Sequence, residues 1–167
     1  MALDTPLGVV ELVVVGVWPS FDDNKSETAD CFRHHLELLA EVAKECRRRC
    51  VQFAFVGNWN ADIGRQKRFD RMLREFISQN LLFSPAGSSA THTYYKKMKN
   101  ATPSTAAIYY SARLDYIMIP AEAVESIRDF KVVRVERETS DHRPVLIKLS
   151  IDGDETSGCH MRLRQTA

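Results

Sequence analysis

The chain has 167 residues, 44% of them hydrophobic and 27% charged, which suits one domain with a sizeable core. Its formal net charge of +1 excludes a global basic field, so any surface that meets nucleic acid must be local. Four cysteines without C-x-x-C or Cys/His ligand spacing give no zinc site, and reduced thiols in an intracellular protein, nuclear or cytoplasmic, are expected.

The opening "MALDTPLGVVELVVVGVW" lacks a basic leader and carries Asp4 and Glu11. Its uninterrupted apolar part is far shorter than the ~20 residues of a membrane span. Residues 9–18 therefore read as a strand covered on both faces, with no membrane partner. "PSFDDNKSE" then turns the chain, and Asn24 is expected to cap a helix with Glu27 as its capping-box partner. Phe32, Leu36, Leu39, Ala43, Cys46 and Cys50 recur at steps of four and three, one apolar stripe of an amphipathic helix. Arg47, Arg48 and Arg49 stand favourably against its C-terminal dipole.

Residues 51–56 ("VQFAFV") form a second buried strand, and Phe69, Met72, Leu73, Phe76 and Ile77 mark a second helix. The segment "RQKRFDRMLR" reads as that helix's exposed face. After it come short β-rich segments: "THTYY", "AAIYY", "LDYIMI", "FKVVRVE" and "PVLIKLSI". Residues 1–151 are thus one domain, and 152–167 lose all periodicity and read as a flexible polar tail.

Three stretches carry chemistry in combination. "GNWN" (57–60) follows the second strand directly, "ARLDYI" contains Asp115, and "SDHRPV" holds Asp141, His142 and Arg143. An isolated Asn at a strand end ordinarily satisfies backbone groups. Here, however, each polar group sits at the end of a β segment, where groups from distant parts of a sheet converge. "THTYYKKMK" interleaves Tyr94 and Tyr95 with Lys96, Lys97 and Lys99, either a base-stacking, phosphate-contacting composition or a solvated hairpin. His34, His35 and His160 are bystanders, and His92, beside Thr91 in the aromatic segment, could approach the cleft but is more readily a bystander too.

In order, "VVVGVWPS", "GNWN", "THTYY", "RLDYI" and "SDHRPV" resemble the motifs of the endonuclease/exonuclease/phosphatase superfamily. That superfamily includes pancreatic deoxyribonuclease, apurinic/apyrimidinic endonucleases and the endonuclease domains of non-LTR retrotransposons, the last being most similar. The resemblance runs from about residue 9 to 150. It implies a partial four-layer α/β sandwich of the deoxyribonuclease I type, with one mixed sheet, helices on one face and the N-terminal half missing.

The resemblance also implies roles. His142 would be the phosphate-stabilising or acid/base imidazole, Asp115 the carboxylate orienting its ring, and Asp141 a neighbour of Mg²⁺. Asn60 would donate its amide to a phosphate oxygen. Trp18 stands where a Tyr is usual, and Trp18, Tyr94 and Arg143 would meet substrate. Asn58 stands where the superfamily has the Asp that orients the attacking water, and an amide keeps its shape without charge or basicity. Asp62, past the strand end, is not expected to replace it.

The expected activity is Mg²⁺-dependent hydrolysis of DNA, with RNA the lesser alternative, impaired or lost because of Asn58 and the missing half with its metal-binding Glu. The alternatives are a catalytically dead binder of nucleic acid or protein, and a retroelement fragment. A sheet face lacking its partner sheet predicts an exposed apolar patch, and so self-association or pairing with a missing N-terminal half.

Overall fold

The computed structural model describes residues 2–5, 8–85, 92–97, 109–133 and 140–150. Residues 152–167, with the proposed tail and His160, lie outside them, as do Thr91 and Lys99. β1 (Ala2–Thr5) runs antiparallel to β2 (Gly8–Val17), which runs parallel to β3 (Gln52–Asn58). The antiparallel β7 (Asp115–Pro120) and the short β4 (Leu82–Phe83) complete a five-stranded sheet in the order β1-β2-β3-β7-β4. β5 (Tyr94–Lys97) pairs with β6 (Tyr109–Ala112), and β8 (Ile127–Val132) with β9 (Val145–Leu149).

Strand alternation sorts the core into two layers. Val13, Val15, Val17, Phe53, Phe55, Tyr116 and Met118 face α1 (Ser26–Arg48) and α2 (Arg68–Gln79). Ala54, Ile117 and Ile119 face the other way, onto Ile127, Val145, Ile147 and Leu149 of the β8–β9 hairpin. The face opposite the helices is therefore partly covered, which narrows the expected apolar patch. Cover fails toward β2, where Val14 is 51% exposed.

Both ends of α1 differ from expectation. Asn24 has φ 66°, a left-handed backbone that an N-cap does not adopt. Asp22 and Asp23 accept the N–H groups of Asn24 and Lys25, which shifts the cap to Lys25. At the other end, Cys50 leaves the apolar stripe for solvent. It sits at φ 54° in a Schellman turn, donating to Arg47 O while Val51 N–H donates to Cys46 O.

"RQKRFDRMLR" is not simply an exposed helix face. Asp70, 1% exposed, accepts hydrogen bonds from the N–H of Asp62 (2.7 Å), the N–H of Lys67 (2.9 Å) and the Arg65 guanidinium (3.0 Å). Arg74 reaches back to Ile63 O at 2.8 Å, and Arg68 pairs with Asp22. Asp70 and Arg74 thus clasp the loop that follows β3, and Arg68 ties α2 to the loop that follows β2. Burial raises the Asp70 carboxyl, but the bonds from Arg65, Asp62 and Lys67 outweigh it and hold it below the usual carboxylate range. Because the folded value is depressed, its stabilisation is complete above the unfolded value of about 3.9 and is lost as pH falls through the folded one. Asp70→Asn is expected to flatten the acid limb of stability, measured by urea unfolding at about pH 6 and about pH 3.

Candidate active site

The side chains of "GNWN" point in opposite directions. Trp59 is fully buried against Phe76, ring centroids 6.0 Å apart, and its backbone N–H donates to Leu114 O at 2.8 Å. The tryptophan thus anchors the turn to the helix layer. Asn58 lies beside Asp115 in the β3–β7 register and faces the other side. Its Oδ1 accepts the Asn60 N–H at 2.9 Å, an Asx turn that supports Asn60 at φ 51°. Gly57 lets the turn form: at φ 150°, a Cβ there would lie 2.1 Å from Val17 O across the parallel ladder.

Thr93 joins "ARLDYI" to "SDHRPV". It is fully buried, and its Oγ1 accepts the N–H groups of both Leu114 and Asp115 at 3.0 Å. Its carbonyl accepts the Arg143 N–H at 2.7 Å, and Tyr95 N–H donates to Asp141 O at 2.9 Å. Ser140 Oγ accepts the His142 N–H at 3.1 Å. The "SDHRPV" segment is thereby laid along β5, with its imidazole over the end of β7. Thr93 is not among the residues that the sequence singles out. A hydroxyl between aromatic residues, one strand from "RLDYI", was the available signal.

His142 Nδ1 lies 2.8 Å from Asp115 Oδ2. A carboxylate only accepts, so the ring donates through Nδ1–H and leaves Nε2 for a ligand. The ring also packs on Tyr94, centroids 4.9 Å apart. The Tyr94 phenol is pushed up by burial, then by the nearby Asp141 carboxylate, and stays neutral.

A pocket of about 670 Å³ is lined by Trp18, Asn58, Asp115, Ser140, Asp141 and His142 over a floor of Gly16, Val17, Val56 and Gly57. Trp18 stands at this pocket with 82% of its surface exposed. Of the residues singled out in the sequence, the structure brings Trp18, Asn58, Asp115, Asp141 and His142 around one space, with Tyr94 against the imidazole.

Others lie elsewhere. Asn60 is not in the pocket wall: its Nδ2 donates to Pro19 O at 2.7 Å, fastening the loop after β2. The Arg143 guanidinium lies 4.0 Å from the Tyr95 ring centroid, also outside the pocket wall. His92 meets Tyr95 edge-on at 6.3 Å. Asp62 is buried and accepts the N–H groups of Gly64 and Arg113, so it holds the loop.

The donor set falls short of a resident divalent cation. Asp115 is engaged by His142 and the Asn58 oxygen by Asn60, which leaves Asp141 as the pocket's one uncommitted carboxylate among the described residues. Those residues hold no group of three or more potential ligands. Mg²⁺ ordinarily takes one or two carboxylates plus substrate phosphate and water. Asp141 alone does not make a preformed site.

No protein-family model and no curated protein matches the sequence. Among solved structures, the endonuclease domain of TRAS1, a telomere-specific non-LTR retrotransposon, is similar with TM-score 0.59 and 15% identity. The match covers 89% of this chain and 61% of that one. The 3' phosphatase NExo from Neisseria, bound to a product DNA hairpin, has TM-score 0.58 and 16% identity, with 89% and 63% covered. The 3'-5' exonuclease NExo from Neisseria meningitidis has TM-score 0.58 and 17% identity, with 89% and 64% covered. This chain therefore spans somewhat less than two thirds of the structures it matches. Among the described residues, no helix is long and apolar enough to cross a membrane. With the two layers around its sheet and these likenesses, the chain has a deoxyribonuclease I-like fold.

Proposed function

We propose that this pocket binds the phosphodiester backbone of DNA, and that its hydrolytic capacity is lost or strongly reduced. The carrying observation is the His142–Asp115 pair at 2.8 Å beside Asn58 and Asp141 in one pocket. That arrangement positions an oriented imidazole for a phosphate oxygen. It provides no uncommitted carboxylate at position 58 to activate a water, and an absent general base typically costs roughly 10²–10⁴-fold in rate. Among the described residues the Mg²⁺ expected from the motifs has only Asp141 to meet it, so no step is assigned to a cation. Likeness to a retrotransposon endonuclease domain supports a retroelement origin, and the exposed Cys31 and Cys50 thiols suit an intracellular setting.

The test is supercoiled plasmid with Mg²⁺, resolved on agarose and by gel shift, for wild type and His142→Ala. Wild type is expected to shift the DNA without nicking it faster than the variant, and His142→Ala to bind more weakly. Nicking that depends on His142 would show a working nuclease, and failure to shift DNA would remove the binding reading.

A further inference from the structure

We infer that a single-stranded segment of nucleic acid runs out of the pocket across one face of the β5–β6 hairpin, over Tyr94 and Tyr110 toward Lys67. The inference rests on the pocket taking a phosphodiester, and it adds a path and a strandedness.

Strand alternation puts Tyr94 and Lys96 on the same face of β5, and the pairings Tyr94↔Ala112 and Lys96↔Tyr110 place Tyr110 on that face. The rings form a line. Tyr94 stands 4.9 Å from the His142 imidazole and 6.2 Å from Tyr110, the two tyrosines edge-to-face at 68°. At the far end, Lys67 Nζ lies 6.0 Å from the Tyr110 ring centroid, and Arg65 hydrogen-bonds the Tyr110 hydroxyl. Tyr110 is 38% exposed, and Lys67 and Lys96 are exposed, so the line is open to a ligand. It begins at the one imidazole of the pocket and ends at Lys67, the N-cap of α2.

The chemistry favours one strand over two. Aromatic faces stack with unpaired bases, whereas duplex bases already cover one another. The electrostatic part is small, because Arg65 is already paired with Asp70 and the chain's net charge is only +1. Lys67 and Lys96 remain as phosphate contacts. Two such contacts give a shallow salt dependence, a slope of about −0.7 per neutralised phosphate on a single strand.

A purely structural role, in which Tyr110 ties the hairpin to α2 through Arg65, makes different predictions. The experiment is fluorescence anisotropy with a short fluorescein-labelled oligothymidylate and a blunt duplex, on proteins whose folding is checked by thermal melting. Tyr110→Leu is expected to weaken the single strand roughly 5- to 100-fold while leaving the duplex unchanged. Tyr110→Phe, which keeps the ring and loses the hydroxyl, should retain single-strand binding. Lys67→Gln should lower the salt slope by about 0.7, whereas Lys44→Gln, on the solvent side of α1, should not.

Single-strand affinity indifferent to Tyr110→Leu in a folded protein would overturn the inference. So would equal slope changes for the Lys67 and Lys44 variants, or loss of binding in Tyr110→Phe. If the duplex still binds in a His142-dependent way while these results hold, the pocket reading survives alone. If neither probe binds, both readings fall together.

Discussion

Gly57→Ala is expected to destabilise the chain by about 2–6 kcal/mol, combining backbone strain at positive φ with a clash that cannot be relieved by a side chain. The contact is with backbone, Val17 O at 2.1 Å from the added Cβ, and Val17 is paired with Gly57 in the parallel ladder. Relief therefore requires β2 and β3 to separate where the pocket floor is built. Urea unfolding should show a lower midpoint with unchanged slope. By contrast, the Cβ of Gly16→Ala meets nothing within 4 Å, so that variant should fold as wild type does. Equal stability of the two variants would mean the strands do not approach as described.

Thr93→Val is expected to cost roughly 2–6 kcal/mol, because it leaves the N–H groups of Leu114 and Asp115 without their acceptor, at about 1–3 kcal/mol each. The replacement has almost the same volume, so the loss reports the hydroxyl and not a cavity. Thr93→Ser keeps the acceptor and should lose only about 1 kcal/mol. Urea unfolding compares the two, and a valine variant as stable as the serine one would refute the keystone role of Thr93. DNA binding should fall with the valine variant even where it is folded, since Asp115 and Arg143 are both held through this residue.

Much of the fold was legible because it rests on local periodicity. The apolar run "VQFAFV" specifies a buried strand, the β-branched run before Trp18 specifies a strand although its expected cover on both faces fails at Val14, and the four-and-three spacing from Phe32 to Cys46 specifies α1. The convergence of Asn58, Asp115, Asp141 and His142 was legible too, since each closes or flanks a β segment. What escaped depends on partners distant in sequence. Asn60 is held by Pro19, 41 positions away, and Asp70 is buried because the β3 loop and α2 both need its oxygens. No pattern within "RQKRFDRMLR" distinguishes such a clasp from a solvated helix face. Likewise, Asn24 looks like a cap until Asp22 and Asp23 are seen to take the neighbouring N–H groups.

The ring of His142 offers the most direct test of the pocket, through the ¹H–¹⁵N spectrum of its imidazole with and without DNA. The neutral ring should carry its proton on Nδ1, with a low-field signal that disappears in Asp115→Ala, and Nε2 should shift when a DNA duplex is added. A ring protonated on Nε2, indifferent both to Asp115→Ala and to DNA, would contradict a phosphate-binding role for these strand ends.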